Sequence, residues 1–162
     1  MNNASDRAVV RWRPDIEDRT FASQAATLYT TYHLIQIIIH RPSIRVPRSR
    51  LPHMPFPLPH SPSSQKALAI SLNSARAGAY ILDVQTRRGM TNILNVIHVS
   101  FFCAGVLLIH LWDLVRQFSS QRSMEGRAFI SQEISSVMDE IGDVMARLEE
   151  VSPKWELARE ML

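Results

Sequence analysis

The chain has 162 residues, 46% of them apolar and 20% charged, with a net charge of +3. That length supports one domain with a core, and a single cysteine, Cys103, excludes an internal disulfide framework or a multi-cysteine zinc site within the chain. The opening residues hold no apolar core of signal-peptide length, so no secretion or transit signal is expected.

The charge is unevenly spread. Between residues 19 and 66 there are six basic residues and no acid, whereas 123–162 carries nine acids and four bases. The basic stretch lacks an aromatic platform for nucleic-acid bases and reads as a solvated linker. Residues 1–19 read as an irregular N-terminal segment.

The first helix is expected over 20–41. Phe21, Ala25, Leu28, Tyr32, Ile35 and Ile39 recur at steps of three and four, predicting a core-facing stripe. Asp18 or Thr20 can cap its start. His40-Arg41-Pro42 reads as its stop: the cations suit the last carbonyls, and proline disfavours helical geometry at the residue before it.

Seven of the nine prolines then fall within 42–62, which predicts a non-helical, proline-rich basic linker. A second helix is expected over 64–88, capped by Ser63 or Ser64. Leu68, Leu72, Ala75, Ala79 and Leu82 form its stripe, and Arg87-Arg88-Gly89 its ending. Ala67, Ser71, Ser74 and Gly78 form a second, small-residue strip that lets another helix approach closely.

A third helix over 93–115 is apolar almost all round, which implies burial on every side, with Phe101, Leu108 and Leu111 in the core. Cys103, among Phe101, Phe102 and Ala104, reads as a buried, inert thiol. The fourth helix begins between 123 and 129. Ile130, Ile134, Val137, Ile141, Val144 and Leu148 form a heptad-like seam, the candidate surface for an interaction. Ser152-Pro153 is expected to break this helix and start a short last one. No alternating stretch suggests a sheet, and the expected class is all-α, with about four main helices.

Little chemistry is on offer. The five glycines form no phosphate-cradling loop. His33 and His40 lie two turns apart, too far to chelate one ion, and His98 and His110 have no partnering pattern. Met124, Met138 and Met145 read as core fillers. Ser100 and Ser119 sit near histidines in sequence without making a triad. No catalytic, cofactor or metal residues are assigned, and an enzyme is not expected.

"YHLIQIIIHRPSI", with Tyr32, His40, Arg41 and Pro42, resembles the helix ending in His-Arg-Pro of the fungal-specific transcription factor domain. This is the regulatory middle region of fungal zinc-cluster transcription factors. "ALAISLNSARAGAYILDVQTRRG" is similar to its small-residue helix and "NVIHVSFFCAGVLLIHLW" to its next apolar helix. "MARLEEVSPKWELAREML" is similar to its closing segment. The four segments cover about four fifths of the chain, in the family's order.

The resemblance implies a C-terminal part, 20–162, of a nuclear regulator of RNA polymerase II genes. Its partners would be proteins of the transcription machinery, with a small-molecule effector as a further option. Zinc and DNA binding belong in that family to a six-cysteine cluster that this chain lacks, and the upstream half of the regulatory domain is expected to be missing too. Two other readings stay open. One is a small membrane protein anchored by 93–112, and the other a free-standing helical module pairing through the 130–148 seam.

Overall fold

The computed structural model describes residues 12–15, 17–44, 62–89 and 95–160, the last ten of these as backbone. The expected linker lies mostly outside the described residues. Four helices are present and, among the described residues, no strand: α1 (Arg19–His40), α2 (Pro62–Arg87), α3 (Val96–Ser120) and α4 (Met124–Glu160).

The ends of α1 and α2 follow from local chemistry. The Asp18 carboxylate accepts hydrogen bonds from the backbone N–H groups of Thr20 at 2.8 Å and Phe21 at 3.0 Å, capping α1. At the other end the Arg41 backbone N–H donates to the Ile37 carbonyl, and a 3-10 turn, Arg41–Ser43, follows with Pro42 inside it. Pro62, expected in the linker, instead takes the first position of α2, where a missing N–H costs nothing. Gly89 closes α2 at φ 68°, a left-handed geometry that glycine adopts without strain.

Successive helices run antiparallel. Arg19, at the start of α1, donates to the Arg88 carbonyl just past the end of α2. The α3 to α4 turn brings Arg127 over the Phe118 ring at 4.7 Å. α2 lies against both α1 and α3, and α3 against both α2 and α4, whereas α1 and α4 do not touch among the described residues. The lighter α1–α3 and α2–α4 contacts place the helices in two layers, α1 with α3 and α2 with α4. The bundle is therefore open rather than closed on itself.

Small residues set the centre. Ala67, Ser71, Ser74 and Gly78 of α2 are all buried, as the small-residue strip predicts. A Cβ on Gly78 would meet Cys103 Sγ and Val99 Cγ1 at 3.4 Å and His33 Cβ at 3.8 Å, so both α1 and α3 close on this one position. Asn95 ties the start of α3 to the middle of α1. It donates to the Thr31 hydroxyl at 2.7 Å, and its side-chain oxygen lies 3.3 Å from the Thr30 hydroxyl. On the other side Arg76 pairs with Glu140 at 2.9 Å and Glu133 at 3.4 Å, while Arg147 pairs with Asp83 at 3.3 Å and donates to the Ala79 carbonyl.

Several expectations are corrected. α1 buries Ala22, Ala26, Thr30 and Ile37, not the predicted stripe; Phe21, Leu28, Tyr32, Ile35 and Ile39 are all exposed, Leu28 by 71%. The cause is the α2 strip, because close helix approach selects the face of α1 with the smallest side chains. α3 is covered on one side only, and Phe101 (69%) and Leu108 (53%) are exposed, although Leu111 packs against the core. Met124, Met138 and Met145 are surface residues, since α4 turns its valine and isoleucine row inward instead. Ser152-Pro153 does not break α4, which continues to Glu160. Proline removes one hydrogen bond, to the Glu149 carbonyl, without forcing a long helix to end.

Candidate functional site

The 130–148 seam does not form a free surface. Ile130, Val137 and Val144 are buried, and Ile134 and Ile141 pack against the same core, with α4 lying along α3. Leu148, at the end of the seam, is half-buried. The seam is a core stripe, and its coverage by α3 leaves no room for the interaction expected of it.

The available surface is on the other layer. The outward side of α1 presents Phe21, Leu28, Tyr32, Ile35, Ile38 and Ile39, and that of α3 presents Phe101, Leu108, Trp112 and Val115. Exposed apolar residues are ordinary, and α2 and α4 expose Tyr80, Met124, Phe129, Met138 and Met145, but ten large ones on two helices of one layer make a wider surface. α3 is also the one described helix long and apolar enough to cross a membrane, and 33% of its most apolar stretch is buried inside the molecule.

A groove of about 320 Å³ opens where α1 ends against α3. α1 contributes Ile37, the 3-10 turn contributes Arg41 with Ile44 just beyond it, and α3 contributes Phe101, Phe102, Gly105, Val106 and Ile109. Gly105 is part of this lining, and an added Cβ there would find nothing within 4 Å. Gly105 therefore differs from Gly78, whose missing side chain is explained by packing. Arg41 is exposed and is the one charged residue of the lining among the described residues. The sequence signals missed this groove because its walls come from residues about sixty positions apart, and no local pattern joins them.

The signature residues share α1 and its end but not a pocket. Arg41 lines the groove, His40 is half-buried, and Tyr32 and Pro42 are exposed. The expected donation from the Arg41 side chain to the last carbonyls is replaced by its backbone N–H. Among the described residues the guanidinium has no hydrogen-bond or ion-pair partner, and the sequence from 19 to 66 contains no acid to provide one.

The other candidates are separated. His33 is half-buried beside Gly78, and burial lowers its pKa because the charged ring loses water there. His98 is exposed, and His110 lies 3.8 Å from Glu133. Cys103 is buried, and burial pushes its thiol up to about 12, so the nucleophilic thiolate is suppressed at neutral pH. Among the described residues no three metal-ligating side chains converge.

A wide apolar layer with one basic groove is thus what the molecule offers to other molecules. No family model, curated protein or solved structure matches the chain.

Proposed function

We propose that this protein is a regulatory module of the fungal zinc-cluster transcription factor type, acting in the nucleus through contacts with other proteins. Two things support the reading. Four sequence segments resemble that regulatory domain in its own order. The observation that carries it is the exposed apolar layer of α1 and α3, which suits docking against partner helices better than it suits catalysis. In this reading DNA targeting and zinc belong to a separate cysteine cluster, and transcriptional output comes from the α1 and α3 surface instead of the α4 seam.

The test is a full-length fusion to an unrelated DNA-binding domain in a fungal reporter strain. The fusion should change reporter transcription. Ile35→Asp with Leu108→Asp should abolish the change while leaving helical content and thermal unfolding intact, since both residues face outward. A folded, nuclear fusion that is silent, or one indifferent to the two aspartates, contradicts the reading.

The partial burial of α3 favours a second reading, a membrane anchor through this helix. Alkaline carbonate extraction separates the two. Recovery of the chain in the extracted supernatant supports the regulatory module, and retention in the pellet supports the anchor.

A further inference from the structure

We propose that the groove between the end of α1 and α3 is a binding site for a medium-chain aliphatic carboxylate. The chain of the ligand would lie over Gly105, and its carboxylate on Arg41. This goes beyond the regulatory reading and does not depend on it.

The shape argument starts from Gly105. A glycine inside a helix costs about 1 kcal/mol relative to alanine, and of the two helical glycines that face open space, Gly105 and Gly142, Gly105 is the one that lines this groove. Close packing does not account for this glycine, because a Cβ would meet nothing within 4 Å. Its effect is to leave a trough between Phe101 and Ile109, one helical turn to either side on the same face. The groove is open to solvent along one side, so its volume of about 320 Å³ admits an aliphatic chain of medium length without fixing that length.

The charge argument starts from Arg41. Among the described residues every other lining side chain is apolar or absent, so a matching occupant is apolar along its body and carries its polar group at one end. The guanidinium has no partner among the described residues, and the sequence between 19 and 66 is free of acids. One planar guanidinium matches one carboxylate, fork to fork. The last carbonyls of α1 bring the negative end of its dipole to the same place, which weakens any anion there and a doubly charged phosphate more than a singly charged carboxylate.

The experiment is calorimetric titration of the purified full-length protein with decanoate, below its micelle concentration. Saturable binding to one site is expected. Decanol and decyltrimethylammonium, with the same tail and a neutral or cationic head, should bind at least about tenfold more weakly, as should decanoate to Arg41→Gln, because each loses a charge-assisted pair. Gly105→Leu should abolish binding by filling the trough, with helical content unchanged and a melting temperature no lower than wild type. Absence of saturable decanoate binding overturns the proposal. So does decanol binding as tightly as decanoate, or unaltered affinity in a folded Gly105→Leu protein. Should Gly105→Leu fail to fold, the head-group series with Arg41→Gln decides the matter by itself.

Discussion

The two layers of the molecule dispose of their leucine, valine and isoleucine residues in opposite ways. α2 and α4 turn them inward, although Tyr80, Met124, Phe129, Met138 and Met145 stand exposed: Leu72 and Leu82 of one, and Ile130, Val137 and Val144 of the other, are buried, and polar pairs such as Arg76–Glu140 lock the two helices together. α1 and α3 bury part of their apolar residues and present the rest on the outside, from Phe21 to Ile39 and from Phe101 to Val115. The difference teaches that the apolar content of a helix does not give its burial. A helix with several apolar faces can bury only those that its neighbours reach. The open arrangement, in which α1 does not meet α4 among the described residues, leaves one side of α1 and α3 without a helix over it.

The sharpest way to break this contrast uses two adjacent leucines of α3. Leu107 is 1% exposed and Leu108 53% exposed. Leu107→Ala should lower unfolding free energy by about 2–5 kcal/mol, by lost burial and a residual cavity. Leu108→Ala should change it by less than about 1 kcal/mol, as should Phe101→Ala. Urea denaturation followed by circular dichroism measures both. Equal losses at 107 and 108 would mean that α3 is covered on both sides.

The glycines sharpen the same contrast. Gly78→Val inserts atoms where Cys103 and Val99 already stand at 3.4 Å from a Cβ, and should destabilise by about 1–3 kcal/mol through overpacking. Gly105→Ala meets open space and should stabilise by up to about 1 kcal/mol through helix propensity. Opposite signs in thermal melts are the expected result.

The smallest effect concerns His33, at the boundary between α1 and the shared centre. Its folded-state pKa lies below the ordinary 6.5 because burial disfavours the charged ring. Above that value the ring is neutral in both states and pH has no leverage through it. As pH falls through 6.5 the unfolded chain takes up the proton first, so stability declines until the folded-state value is passed. Wild type should therefore lose more stability than His33→Gln between about pH 7.5 and 5.5, as read by chemical denaturation at each pH.

Much of the architecture was legible in local signals. Asp18, Arg87 and Gly89 mark helix ends by their own chemistry, and the spacing of Ala67, Ser71, Ser74 and Gly78 announces a close helix approach. The inward face of α1 was not legible. Its bulky stripe has the stronger periodicity, but the small strip of α2 selects Ala22, Ala26 and Thr30, a choice made between helices and invisible within either one. The valine and isoleucine seam of α4 was visible as a pattern, though not the fact that α3 fills it. Of the candidate site, Arg41 reads in the sequence as a stop signal, while Gly105 carries no local signal because its role depends on Ile37 and Ile44 across the groove.

The central claim is that α1 and α3 hold large aliphatic side chains in the open, and native-state thiol labelling tests it most directly. The one cysteine of the chain, Cys103, is buried with its pKa at about 12 and gives an internal zero. In the purified native protein, Leu108→Cys and Ile35→Cys should react with a thiol reagent as fast as a free peptide thiol, while wild type and Leu107→Cys stay unreactive until denatured. A Leu108→Cys protein as protected as Cys103 would contradict the account.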